Sequence, residues 1–151
     1  MKATSLLFAL ALLGAAPFAH ASPKCTLKLT GNDQMQFDLK TATVSASCPK
    51  ISVELAHIGK MPATAMGHDV VISLTSDMNA IVAAAAKAGA AGGYQDKGDA
   101  KVIAATKVIG GGESTKTSFA GSKLKVGGDY TFFCTFPGHS AIMKGTLVVE
   151  K

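Results

Sequence analysis

The sequence predicts an all-β fold, an eight-stranded Greek-key sandwich or barrel with one short helical insertion. Three observations carry this. Short runs alternating polar and apolar residues recur along most of the chain, separated by Gly, Pro, Asn and Asp, the pattern of half-buried strands joined by turns. One alanine-rich stretch, residues 78–88, interrupts them and has high helix propensity. No internal repeat and no linker divides residues 22–151, so they are expected to form one domain.

The first 21 residues stand outside that domain. Met1-Lys2 is a short basic start, Ser5 to Ala16 is apolar, and Pro17 breaks the run ahead of Ala19-His20-Ala21. Small residues two apart are a cleavage site, and the apolar run is too short to span a bilayer comfortably. A secretory signal peptide cut after Ala21 is expected, which places the mature protein in the periplasm without stable membrane insertion. Cleavage leaves about 130 residues, enough for one sizeable core.

The strands are read in order. Thr26 to Thr30 alternates, Gly31-Asn32-Asp33 signals a turn, and Gln34 to Leu39 alternates again with Met35, Phe37 and Leu39 on one face. Phe37 and Leu39 are expected in the core. A short strand surrounds Val44, and Ile51 to Ile58 is another, with Ile51, Val53 and Leu55 facing one way. Gly59 to Gly67 is a loop rich in breakers, followed by His68 and a β-rich run from Asp69 to Thr75. Ser76-Asp77 is a plausible N-cap for the helix, and Gly89 and Gly92-Gly93 stop it. A helix of roughly ten to twelve residues is marginal alone, so it must pack on the body. Strands follow at 102–108, 115–119, 130–135 and 145–150.

The chain carries a net charge of +5, all its basic residues are lysines, and these are spread along it. Nucleic-acid binding proteins concentrate basic charge, with arginine and stacking aromatics, so no nucleic-acid partner is expected.

The chemistry gathers near the C-terminus. Cys134, His139 and Met143 lie within ten residues, between two strand-like runs. A thiolate, an imidazole and a thioether together suit copper, and a second imidazole is available at His68. The three cysteines allow three pairings, between which sequence does not choose. Cys25–Cys48 is favoured because it staples the first strand to its neighbour in an oxidising compartment and leaves Cys134 beside His139 and Met143. A Cys-His hydrolase would need an orienting third group and an oxyanion hole, and no motif announces either. Structural zinc would ask for more Cys or His and would not recruit methionine. A copper store or chaperone shares the same ligands and is the serious alternative to an electron carrier.

Here the residues carry a resemblance. Gly31-Asn-Asp-Gln-Met-Gln-Phe37, Met66-Gly-His68, Lys107-x-Ile-Gly110, Ser122-Lys-Leu-Lys125 and Phe132-Phe-Cys-Thr-Phe-Pro-Gly-His-Ser-Ala141 with Met143-Lys-Gly-Thr146 are similar to segments of the azurin group in the cupredoxin (blue copper) family. The likeness runs from Cys25 to the C-terminus. It implies one copper ion bound by His68, Cys134 and His139, with Met143 and the Gly67 carbonyl as axial ligands, and it supports the Cys25–Cys48 disulfide. It implies a carrier of single electrons, not an enzyme, that meets redox proteins such as c-type cytochromes or periplasmic reductases briefly. It places Met35, Met61, Met66, Phe136, Pro137 and Ile142 in an exposed apolar patch around the edge of His139, and Phe136 and Asp69 beside the thiolate through their backbone N–H groups. His57 matches a non-ligand, pH-responsive histidine, its other reading being a satisfied structural one, and Ile58 replaces the proline that often follows. Val70 stands where many members carry a buried tryptophan. Asp69 stands where an asparagine usually braces the ligand loops; a carboxylate there either shifts the potential or points outward.

Overall fold

A computed structural model describes residues 24–151; the signal peptide expected at residues 1–21 lies outside the described residues. Eight strands form two sheets. One holds β1 (Thr26–Gly31), β3 (Ile51–His57) and β6 (Ser114–Phe119) in the order β1-β3-β6. The other holds β2 (Thr41–Ser45), β4 (Val71–Leu74), β5 (Ala104–Ala105), β7 (Tyr130–Phe133) and β8 (Lys144–Glu150) in the order β2-β8-β7-β4-β5. The sheets stay separate, so the architecture is a sandwich and not a closed barrel.

Most pairings are antiparallel, but β1 runs parallel to β3 and β2 parallel to β8. The cause is topological. The chain leaves β1, crosses to the other sheet for β2 and returns for β3, so two reversals bring β3 back in the direction of β1. The disulfide Cys25–Cys48, with Cα atoms 5.6 Å apart, ties the start of β1 to the β2–β3 turn across this crossing.

Alternation places Ile51, Val53, Leu55 and His57 of β3 inward, and the three aliphatic residues meet Leu29, Val44, Phe132 and Leu147 in one core shared by both sheets. Every residue of β7 is buried, because its outer face is covered too. A single helical turn, α1 (Ala63–Met66), follows β3, and the longer helix α2 (Met78–Ala88) supplies the cover, as its marginal length requires. Met78, Ile81 and Ala85 form its buried stripe, and Met78 and Ile81 pack with Val71 and Phe133 in a second cluster. Gly89 ends it at φ +57°. The Asp77 side chain makes no capping hydrogen bond; a 3₁₀ turn, Thr75–Asp77, leads straight into the helix instead.

Two expected strands are corrected. Residues 34–39 form no strand. The Asn32 side chain accepts from the N–H groups of Gln34 (2.9 Å) and Gln36 (3.3 Å), Met35 sits at φ +57°, and only Phe37 bridges back, to Gly31. The bend leaves Phe37 buried and turns Leu39 out, 38% exposed. The run 102–108 keeps strand pairing only at Ala104–Ala105. Among the described residues no helix is long and apolar enough to cross a membrane.

Candidate metal centre

Three loops converge at one end of the sandwich. The longest, 134–143, is anchored by both strands that flank it. Cys134 directly follows β7, Met143 directly precedes β8, and the Cys134 N–H donates to the Met143 carbonyl at 3.0 Å. Within the loop, the N–H of His139 donates to Phe136 O (3.0 Å) and that of Met143 to His139 O (2.8 Å). Gly138, at φ +81°, makes the turn that sends the chain back into His139.

His68 is clamped from another direction. Its backbone exchanges two hydrogen bonds with Ile109, at 3.0 and 2.9 Å. Its ring is fully buried, with Nε2 2.8 Å from the Asn32 carbonyl and Nδ1 2.9 Å from the Gly67 carbonyl. The bend that replaced the expected strand is thus what presents Asn32 to this ring. Had Gly31 a Cβ, it would lie 2.7 Å from Cδ2 of His68 and 2.9 Å from Cε of Met143, so ring and thioether crowd the same stretch of backbone.

One ligand-type atom from each of His68, Cys134 and His139 lies within 4.8 Å of the others, and all three residues are buried. Sγ of Cys134 is 3.7 Å from Nδ1 of His139 and 3.9 Å from the Gly67 carbonyl. Met143 is wholly buried at the root of the loop. Burial pushes the His139 imidazole down to about 4 and lowers that of His68. Both rings are therefore neutral near pH 7, with a lone pair each to offer. Burial, then the nearby Asp69 carboxyl, pushes the Cys134 thiol well above its ordinary range, while backbone N–H groups of Asp69 and Phe136 act in the opposite direction.

Hydrogen-bond accounting tests the fit to a metal. A neutral imidazole has one N–H, yet both nitrogens of His68 face carbonyl oxygens. With the proton on Nε2 for Asn32, the Nδ1 lone pair points at the lone pairs of Gly67 O. A cation bound by the Nδ1 lone pair would relieve that opposition and would release the thiol proton of Cys134. Two imidazoles, a thiolate and a thioether are ligands that suit copper in both oxidation states.

Asp69 points inward and is fully buried. Its Oδ1 accepts from the Thr135 N–H (2.7 Å); its Oδ2 lies 2.6 Å from Thr135 Oγ1 and accepts from Gln95 Nε2 (2.6 Å). Thr135 Oγ1 also faces the Tyr94 carbonyl at 2.8 Å, so its single proton meets two acceptors unless Asp69 carries a proton of its own. Burial pushes the Asp69 carboxyl in that direction.

His57 stacks on His68, with ring centroids 4.1 Å apart and planes 10° from parallel. Its Nδ1 accepts from the Gly59 N–H (3.0 Å) and its Nε2 donates to the Met66 carbonyl (2.9 Å), a complete set for the neutral ring. Asp33 accepts from the N–H groups of Lys60 and Met61 and so ties this loop to the bend at 32–36.

His139 is 3% exposed, and among the described residues its Nε2 has no protein partner while no buried polar side-chain atom is left unpaired, so that small exposure falls at Nε2. Of the six residues expected around it, Met61, Pro137 and Ile142 are exposed and Met35 and Met66 are half-buried. Phe136 is buried, because its ring is wedged between Tyr94 and His139 at centroid distances of 4.9 and 4.8 Å. Sequence reasoning missed Asn32, Asp33, Thr135 and Gln95. The Gly-Asn-Asp turn signal marked the first two as a bend; no local pattern marks the others.

A two-sheet β-sandwich with one buried Cys-His-His cluster at the end of its last hairpin defines a cupredoxin-type protein. The comparisons agree. The model of the copper binding proteins of the plastocyanin/azurin family matches residues 23–150. The chain is 47% identical to azurin from Bordetella pertussis over 138 residues, 91% of this chain and 92% of that one. It is 50% identical to azurin from Alcaligenes faecalis over 123 residues, 82% of this chain and 96% of that one. In structure it is similar to the azurin Az-iso2 of Methylomonas sp. strain J, with a TM-score of 0.80 at 39% identity, covering 84% of this chain and 98% of that one. The chain belongs to the plastocyanin/azurin family.

Proposed function

We propose that this protein is a type 1 (blue) copper protein of the periplasm that relays single electrons between redox partners and performs no substrate chemistry. Copper would be held by His68, Cys134 and His139, with Met143 and the Gly67 carbonyl as further donors. The observation that carries this reading is the convergence of those three side chains within 4.8 Å in a water-excluded site.

When bound, copper supplies a one-electron Cu(I)/Cu(II) couple. The chain does the rest. Cys134 and Met143 are fixed by the ends of β7 and β8, and His68 by Ile109 and Asn32, so the donors have little freedom to rearrange when the charge changes. Burial of the two imidazoles and the thiol excludes water. The His139 edge, on a loop that also exposes Pro137 and Ile142, would offer a partner a close apolar approach, suited to the small transient contacts of electron transfer. Soluble redox proteins such as c-type cytochromes or periplasmic reductases fit this surface. Export through a signal peptide cleaved after Ala21 accords with the disulfide.

A copper store or chaperone would use the same donors but needs them open to exchange, and these are enclosed by two strands. The deciding measurement is the visible spectrum of the Cu(II)-loaded protein. An intense blue thiolate-to-copper band is expected, and it should vanish in Cys134→Ser. A colourless Cu(II) complex would sink the reading. Fast copper loss to an apo acceptor with sluggish electron self-exchange would favour the chaperone.

A further inference from the structure

The loop that follows α2 is far from the ligands in sequence, yet it reaches the site. Gln95 lies in that loop, half-buried. Its Nε2 is 2.6 Å from Asp69 Oδ2 and 2.6 Å from the Thr106 carbonyl. One amide nitrogen thus spends both protons on two oxygens from two other segments. Thr106 is itself locked to Val70, through Val70 N to Thr106 Oγ1 (2.9 Å) and Thr106 N to Val70 O (3.0 Å). Asp69 in turn holds the N–H of Thr135. A continuous chain therefore runs from Gln95 through Asp69 to Thr135, with ligand positions 68 and 134 each one residue away. The neighbouring Tyr94 reinforces it from the same loop, through its carbonyl on Thr135 and its ring on Phe136.

We propose that Gln95 is a positioning residue for the metal site, acting through the Asp69 carboxyl to fix the backbone beside Cys134. The pair is chemically matched. Asp69 Oδ2 accepts and Gln95 Nε2 donates. An asparagine at 69 that kept its oxygen on the Thr135 N–H would turn its NH₂ toward the Gln95 NH₂, donor against donor. Rotating the Gln95 amide to cure this would set its oxygen against the Thr106 carbonyl. The aspartate at position 69 is therefore tied to the glutamine at 95, and an exchange at one site calls for an exchange at the other.

This rests on the copper-site reading, and the test separates the two. Gln95→Met keeps the length of the side chain and removes both hydrogen bonds, and Gln95 borders a cavity of about 380 Å³ beneath α2 that leaves the thioether room. In the metal-free protein, Gln95→Met should speed hydrogen exchange at the Thr135 amide by about tenfold. With copper, it should weaken affinity by about tenfold, as loss of a ligand's supporting partner does, and shift the reduction potential and the charge-transfer band. In an Asp69→Asn background the same Gln95→Met change should cost less than threefold, because the matched contact is already gone. Thr135 exchange and copper affinity both within twofold of the parent, or equal effects in the two backgrounds, would overturn the proposal. If the parent chain itself fails to bind copper, the site reading falls, while the metal-free exchange measurement still judges Gln95.

Discussion

The Asp69 carboxylate oxygen and the Thr135 backbone nitrogen lie 2.7 Å apart. This one hydrogen bond joins the residue after His68 to the residue after Cys134. The two loops that carry those side chains come from segments 66 residues apart, and the carboxyl fixes their spacing without contacting solvent.

Replacing Asp69 by alanine would strand the Thr135 N–H and one Gln95 proton in the interior. A buried donor left unpaired costs about 1–3 kcal/mol, so Asp69→Ala should lower unfolding stability by about 3 kcal/mol in urea titration of the metal-free protein. Asp69→Asn keeps the acceptor for Thr135 and should cost roughly half as much. An alanine variant as stable as the parent would show that the carboxyl braces nothing.

The pH dependence of the metal-free protein follows from His139. Its ring, held near 4 by burial, ionises near 6.5 in the unfolded chain. Below 6.5 the unfolded chain therefore takes up a proton that the native site refuses. The contribution is present in full above about 6.5 and is lost as pH falls toward 4. Its size is about 2 kcal/mol once solvent screening at the ring edge is allowed for. Asp69 runs the other way, since burial pushes its carboxyl up. The clean measurement is thus the difference in melting temperature between the parent and His139→Gln, followed from pH 7 to 4. The parent should lose its advantage over that interval, and copper, which keeps the native ring unprotonated to lower pH, should carry the loss on below pH 4.

The disulfide closes a sequence separation of 23 residues. Loop-closure entropy alone puts its stabilisation at about 3 kcal/mol. Cys25→Ser with Cys48→Ser should lower the denaturation midpoint accordingly. The bridge lies away from the ligand loops, so the spectrum of the copper-loaded protein should not move. A spectral change would mean that the crossing of β1 and β2 is felt at the metal.

Much of this was legible from the chain because it is local. The alternation in β3, the alanine run of α2 and its glycine stop, and the Cys-His-Met spacing all act over a few residues, and each appears where it was expected. The failures are where a side chain overrode the pattern. Residues 34–39 alternate like a strand, but Asn32 satisfies two of their N–H groups itself and bends them away from any partner. The resemblance placed Phe136 in the exposed patch, whereas its ring finds Tyr94 from a loop some 40 positions earlier. Gln95 and Thr135 carry no signal at all, since their roles exist only once three distant segments meet around Asp69.

Ile142 is 49% exposed, and its carbonyl is held by the Lys40 ammonium at 3.2 Å. Its backbone is therefore fixed while its side chain faces outward beside the His139 loop. Ile142→Glu leaves every donor atom in place, so the absorption band and the reduction potential should stay within error of the parent. A charge in an apolar contact must be desolvated when a partner closes over it, at a cost of several kcal/mol if unpaired. Two copies meeting through this face would each bring one such charge. Electron self-exchange should then slow by about tenfold or more at low ionic strength and recover in part as salt screens the repulsion. Self-exchange unchanged by the substitution would place the electron's exit elsewhere on the molecule, and the His139 edge would lose its assignment as the docking face.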